Sequence, residues 1–129
     1  MTFLEELLSL WGEEEERCGV ILDGYEVVEI ANSASMIAGW AGKAEFAMTT
    51  DDVSAATRGM PVRGIFHTHP SNISRPSQLD IAGWPNVDEY YIVTKNLVTE
   101  WKLVGSNPVL IARARPSMAG RVREASERI

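Results

Sequence analysis

Both histidines of the chain lie in one short stretch whose spacing suits a metal site. The stretch covers residues 64–80 and reads GIFHTHPSNISRPSQLD. On a β-strand, side chains two residues apart point to the same side, so His67 and His69 can present two imidazoles to one ion. The loop that follows can bring the carboxylate of Asp80 back as a third ligand. Two histidines and one carboxylate suit zinc, and three protein ligands leave a fourth position open for water, which is typical of a catalytic site.

Each of these residues also has a simpler interpretation. Two histidines on a strand can be exposed or hydrogen-bonded without any metal. Residues 77–80, SQLD, also read as a capping box in which Asp80 stabilises the start of a helix. The two roles of Asp80 are compatible, because a helix start would hold the carboxylate in place. Spacing alone leaves both interpretations open.

Such a site needs a strand that ends near His69 and a helix that starts at Ser77. Apolar periodicity and turn residues predict a strand at 62–69, a loop at 70–76 and a short helix from Ser77 to just before Pro85. Other helices are predicted at 2–11, behind a capping box, at 50–58 and at 117–129. Further strands are predicted at 17–22, 25–31, 45–48, 90–94, 98–104 and 109–112, the first two joined by a turn at 23–24. Together these elements predict a mixed sheet with a few helices in one α/β domain.

Two separated motifs carry a resemblance to a known family. Upstream, residues 16–19 read ERCG and lead into the apolar stretch VIL; downstream, HTHP at 67–70 is followed by PSQLD at 76–80. In this order and spacing they resemble the signature of the JAMM (MPN-plus, or JAB-type) zinc metalloproteases, in the compact form found in bacteria, archaea and phages. The resemblance implies a curved mixed β-sheet flanked by helices, a cytidine-deaminase-like fold. It implies a single domain over residues 1–129, with its core at about 3–104 and a C-terminal strand and helix in 105–129.

The resemblance also implies a role for each motif residue. His67, His69 and Asp80 would bind one Zn²⁺ per chain. Glu16 would act as general base on the zinc-activated water and then pass the proton to the leaving amine. Ser77 would stabilise the oxyanion of the tetrahedral intermediate, and such a donor is typically worth roughly 3 kcal/mol of barrier. The expected reaction is hydrolysis of a peptide or isopeptide bond in a protein or peptide, and ubiquitin-like modifiers are among the candidate substrates.

Other functions fit the same resemblance. An MPN domain can lose catalysis and remain a binding scaffold, although the intact set of motif residues argues against this. A peptidase associated with phage tail assembly or cell-wall entry, located on the virion, is a further alternative. Cys18 lies beside Glu16, but both histidines are assigned to the metal, so we interpret Cys18 as a packing residue and not as a nucleophile.

Composition excludes several other classes of protein and of binding partner. A chain of 129 residues with 45% hydrophobic residues fits one globular domain. Its net charge of -6 argues against nucleic-acid and anionic-membrane partners, which favour basic surfaces. The single cysteine excludes an internal disulfide, and no stretch resembles a signal peptide or a membrane span. We therefore expect a cytoplasmic protein, in a prokaryotic or phage-infected cell.

Overall fold

The fold is that of an α/β domain built on one sheet. A computed structural model describes residues 1–34 and 46–116. Within these ranges the elements are α1 (Phe3–Leu8), β1 (Cys18–Leu22), β2 (Glu26–Ile30), α2 (Thr50–Thr57), β3 (Val62–Thr68), α3 (Gln78–Ala82), β4 (Glu89–Val93), β5 (Val98–Val104) and β6 (Asn107–Ala114). None of the helices in these ranges is long and apolar enough to cross a membrane.

The strands form a single sheet in the order β2-β1-β3-β4-β5-β6. Strands β3 and β4 pair in parallel, whereas the other neighbouring pairs are antiparallel. The predicted mixed sheet is therefore confirmed. A parallel pair needs a crossover connection, and here that connection contains α3. The crossover begins at the end of β3, and the first turn of its helix α3 carries Asp80.

Helices cover the central strands on both faces, which explains why β1 is buried along its whole length. On one face, α1 contributes to a core of Leu4, Leu7, Ile21, Phe66, Tyr91, Val93, Val98 and Ala114. On the other face, α2 packs against a core of Val20, Leu22, Ile30, Ile65, Tyr90, Ile92 and Trp101. His67 alternates with Phe66 and therefore shares the α2 face with Ile65. Both histidines are buried.

Element boundaries differ from the sequence prediction at several ends. Helix α1 ends at Leu8, because the N–H groups of Leu10 and Trp11 bond to carbonyls three residues earlier and tighten the chain. The first turn is one residue longer than predicted: Gly24 and Tyr25 both have positive φ, so β2 begins at Glu26. Strand β6 spans Asn107–Ala114 instead of 109–112.

The predicted strand at 45–48 is wrong over its described part. Residues 46–48 form no strand. Ala47 bonds instead to the segment after β2: its N–H donates to Asn32 Oδ1 at 3.1 Å, and its carbonyl accepts from Ser33 N–H at 2.8 Å. The side chain of Asn32 thus replaces the backbone group of a neighbouring strand as the hydrogen-bond partner of Ala47 N–H. Residue 45 and the predicted helix at 117–129 lie outside the described residues.

The glycine of the ERCG motif is required by packing. A Cβ atom on Gly19 would lie 2.1 Å from the carbonyl oxygen of Val28 and 2.6 Å from Cε1 of Phe66. Because the first contact is with backbone of the paired strand, a rotamer change cannot relieve it. Gly19→Ala is therefore expected to lower the free energy of unfolding by about 3 kcal/mol, at the upper end of the usual cost of overpacking.

Urea unfolding of the variant would measure this loss. Gly12→Ala is the matched control, because a Cβ atom at Gly12 has nothing within 4 Å. Its stability should stay within about 0.5 kcal/mol of the parent. Equal stability of the two variants would contradict the packing role of Gly19.

Candidate metal centre

Strand register brings Glu16 to the histidines. In the antiparallel pairing of β1 with β3, Cys18 lies opposite His67. The pairing continues one step beyond β1, where Thr68 N–H donates to the carbonyl of Arg17 at 2.8 Å. Arg17 N–H in turn donates to Thr68 Oγ1 at 2.9 Å. The residue before Arg17 is therefore held beside the end of β3, although it is 51 positions away from His67 in sequence.

Glu16 differs from the rest of its acidic run. Residues 13–15 are exposed, whereas Glu16 is only 4% exposed. Its Oε1 lies 3.3 Å from Nδ1 of His67 and 3.7 Å from Nε2 of His69. Its Oε2 is buried and has no hydrogen-bond partner among the described residues. Burial raises the pKa of Glu16 to about 8; the charge of His69 works against this shift and that of Asp80 adds to it.

The backbone of His69 is fixed on three sides. Its N–H donates to the carbonyl of Val93 at 2.9 Å, which ties it to β4. Its carbonyl accepts from the indole N–H of Trp11 at 2.8 Å and from the N–H of Asn72 at 2.9 Å. The contribution of Trp11 was missed in the sequence, where an apolar helical repeat explains a tryptophan equally well. The segment after α1 therefore helps to position the second histidine.

The ring of His69 offers one nitrogen to the cluster. Its Nδ1 lies 2.6 Å from the carbonyl oxygen of Ile73, and a carbonyl can only accept, so Nδ1 carries a proton. Its Nε2 lies 3.2 Å from Oδ2 of Asp80. Burial alone would lower the pKa of His69, but the hydrogen bonds to Asp80 and Ile73 raise it above its usual value. The lone pairs of His69 Nε2 and Asp80 Oδ2 would repel each other at 3.2 Å, so a proton or a cation is needed between these two atoms.

Asp80 combines the two roles that its spacing left open. Ser77 N–H donates to Asp80 Oδ2 at 2.8 Å and Asp80 N–H donates to Ser77 Oγ at 3.0 Å, so the predicted capping box is confirmed. The same carboxylate lies 3.6 Å, through Oδ1, from Nε2 of His67. Burial would raise the pKa of Asp80, but the His69 hydrogen bond, the charge of His67 and the Ser77 N–H leave it lowered. Asp80 is therefore an anion held in place, and its role as a ligand stays a prediction.

Ser77 lies on the same turn as Asp80 and uses its hydroxyl oxygen as the cap acceptor. A hydroxyl also carries one proton to donate, so this bond is compatible with a second contact. The assignment of Ser77 to an oxyanion stays a prediction.

His67 is enclosed by aromatic groups. Its side chain has no exposed surface, and Phe46 stacks on the ring at a centroid distance of 4.2 Å and an interplanar angle of 21°. The hydroxyl of Tyr90 lies 3.0 Å from Nε2. Burial lowers the pKa of His67 to about 3, so the ring is neutral near pH 7. Neutral imidazole is the form that binds metals.

The cluster as a whole fits a metal ion such as zinc. Glu16, His67 and His69 each offer one ligand atom, and these atoms lie within 4.8 Å of one another. Two ligand atoms on a tetrahedral zinc are separated by roughly 3.3 Å, given metal–ligand distances of roughly 2.0–2.1 Å. The distances of 3.3 Å from Glu16 to His67 and 3.2 Å from His69 to Asp80 match this separation. Imidazoles and carboxylates are also donors that zinc accepts.

Cys18 takes no part in this cluster. Its thiol is fully buried and makes a weak bond, at 3.6 Å, to the carbonyl of Ile30. Burial raises the pKa of Cys18 to about 12, and the charges of Glu16 and Glu29 raise it further. A thiolate nucleophile is therefore disfavoured, and the interpretation of Cys18 as a packing residue is confirmed.

An apolar cleft of about 710 Å³ adjoins Asp80 on the α2 face of the sheet. Its walls in the described part of the chain combine Asp80 and Tyr90 with apolar groups from α2, α3 and the central strands. Apolar members include Phe46, Met48, Val53, Ile65, Leu79 and Val87. A ligand that approaches Asp80 can therefore extend into apolar surroundings.

The mixed sheet and the histidine–carboxylate cluster at the end of β3 are consistent with a domain of the JAB/MPN type. The family model described as prokaryotic homologs of the JAB domain matches residues 9–104, and the chain belongs to this family. Among solved structures, the solution structure of protein DSY2949 from Desulfitobacterium hafniense is similar, with a TM-score of 0.61, 20% sequence identity and 84% of each chain covered. At this identity the likeness shows a shared fold. A comparison with curated proteins finds no match.

Proposed function

We propose that the protein is a zinc-dependent peptidase or isopeptidase that hydrolyses an amide bond with water. The observation that carries this proposal is the buried convergence of Glu16, His67, His69 and Asp80, in which Oε2 of Glu16 has no partner among the described residues. A buried polar atom without a partner costs stability. Its presence beside two imidazoles supports a site that is shaped for reactants at the expense of stability.

The residues divide the work between binding and proton transfer. His67, His69 and Asp80 would hold the ion. When bound, zinc polarises a carbonyl group and increases the acidity of a water molecule. Glu16 then takes the proton of the attacking water and later gives it to the leaving amine. Burial raises the pKa of Glu16 above its usual value, so this carboxylate accepts a proton more readily than an exposed one does.

Ser77 would donate its hydroxyl proton to the oxygen that becomes negative during the attack. The capping box supports this role, because it holds Ser77 and Asp80 on one turn. A fixed donor of this kind needs little reorganisation during the reaction, and it typically contributes roughly 3 kcal/mol to lowering the barrier.

The cleft beside Asp80 supports a chain-like substrate. Its volume of about 710 Å³ lies within the usual range of roughly 300–1,000 Å³ for ligand pockets. Its walls offer mainly apolar groups to an occupant. We therefore place a protein or peptide substrate here, with apolar side chains near the cleaved bond. Ubiquitin-like conjugates are one such substrate class.

Metal analysis combined with a cleavage assay tests the proposal. We expect one zinc per chain after zinc is added to metal-free protein. We also expect cleavage of linear peptides or of isopeptide-linked ubiquitin-like conjugates, lost with a chelator and restored by zinc. Cleavage that persists after complete metal removal would contradict the proposal. Tight zinc binding without cleavage of either substrate class would favour a binding scaffold instead.

A further inference from the structure

We propose that Tyr90 is a positioning residue of the metal centre, whose hydroxyl group fixes the ring of His67 and thereby sets the affinity for the ion. This inference rests on the proposed function, because it assumes that His67 is a ligand. Tyr90 lies on β4, outside both sequence motifs, and its side chain is almost fully buried.

The contact with His67 is direct. The Tyr90 hydroxyl lies 3.0 Å from Nε2 of His67, within the range of a good hydrogen bond. The two rings are nearly perpendicular, with an interplanar angle of 83° and a centroid distance of 5.5 Å. The parallel register of β3 and β4 places Tyr90 opposite Ile65, two residues before His67 on the same face. Sheet pairing thus holds the hydroxyl at this distance.

Stacking fixes the faces of both rings. Trp84 stacks on Tyr90 at a centroid distance of 3.9 Å and an angle of 17°. Phe46 stacks on His67 at 4.2 Å. These contacts hold the ring planes, but they do not distinguish the two edges of an imidazole. A hydrogen bond to one nitrogen distinguishes the two edges, because a half-turn of the ring would replace that nitrogen by a carbon.

The two histidines then follow one principle with different partners. A histidine that binds a metal usually engages its other nitrogen in a hydrogen bond, which orients the ring and fixes its tautomer. For His69 the partner is the carbonyl of Ile73, at 2.6 Å. For His67 the corresponding partner is the hydroxyl of Tyr90 at Nε2, which assigns Nδ1, the nitrogen 3.3 Å from Glu16 Oε1, to the ion. The tyrosine therefore acts on the ion through His67.

Tyr90→Phe tests the inference, because it removes the hydroxyl and keeps the ring that stacks on Trp84. The measurements are the affinity for Zn²⁺, by competition with a chromophoric chelator, and the visible absorption spectrum of the Co²⁺ form. We expect the zinc affinity to fall roughly 10–100-fold, the usual cost of losing a partner that orients a ligand. We also expect the Co²⁺ spectrum to change, since it reports the geometry of the ligands. Thermal unfolding of the metal-free protein is measured separately.

Tyr91→Phe is the matched control. Tyr91 is the next residue and is also buried, but its hydroxyl donates to Glu89 and its ring belongs to the core on the opposite face. This variant also loses a buried hydroxyl, yet its zinc affinity and Co²⁺ spectrum should match the parent.

Two results would overturn the inference. One is a Tyr90→Phe variant with unchanged or increased zinc affinity and an unchanged spectrum, even if its melting temperature falls. The other is an equal loss of affinity in both variants, which would indicate a general structural effect. If the parent protein itself binds neither Zn²⁺ nor Co²⁺, the metal centre of the proposed function is refuted, and the inference falls with it.

Discussion

Glu16→Gln is expected to reduce kcat by roughly 10²–10⁴-fold, the usual contribution of a general base, while the protein keeps its zinc. Glutamine has nearly the same shape as glutamate, so the buried position stays filled. Its amide cannot take a proton from water, so only the proton-transfer role is removed. The measurements are kcat on a cleaved substrate and the zinc content of the purified variant.

Glu15→Gln is the matched control for this change. It alters the charge of the same acidic run by the same amount, but residue 15 is exposed. Its kcat and its zinc content should equal those of the parent. Loss of zinc in Glu16→Gln would instead make Glu16 a ligand, in line with its grouping with the two histidines. Unchanged cleavage would show that another group takes the proton.

Glu16 could be distinguished from its neighbours only through the resemblance of ERCG, HTHP and PSQLD to a family signature, because the four glutamates by themselves indicate an acidic surface segment. The capping box at residues 77–80, in contrast, could be predicted from local sequence, since both of its hydrogen bonds join residues three apart. The alternation of β3 likewise predicted that His67 and His69 lie on one side. In these two cases the decisive interaction is local, or it follows from the period of a strand.

The groups that enclose the site could not be predicted in this way. Tyr90 meets His67 only because β4 pairs with β3 in parallel and in one particular register. Trp11 reaches the carbonyl of His69 across 58 positions, after α1 has ended earlier than its apolar repeat suggested. Phe46 precedes Ala47, whose backbone N–H bonds to the side chain of Asn32 and not to a strand. These contacts depend on tertiary pairing, which a single sequence does not specify.

Asp80→Asn is expected to lower zinc affinity by more than the roughly 10–100-fold that the loss of an orienting partner costs, because it removes an anionic ligand itself. Asparagine keeps the size of the side chain, and its carbonyl can still accept from Ser77 N–H. The start of α3 should therefore survive, and with it the fold. Zinc affinity by chelator competition and thermal unfolding of the metal-free variant would separate these two effects.

Asp52→Asn provides the matched control, because Asp52 occupies the corresponding position of another helix. Its N–H donates to the hydroxyl of the capping residue Thr49 at 3.0 Å, as that of Asp80 does to Ser77. Asp52 is exposed, so its replacement should cost only the roughly 0.3–1 kcal/mol of a charge at a helix start and leave zinc binding intact. If Asp80→Asn bound zinc as tightly as Asp52→Asn, Asp80 would be a helix cap alone. Among the described residues, the third ligand would then be Glu16, whose carboxylate lies close to both histidines.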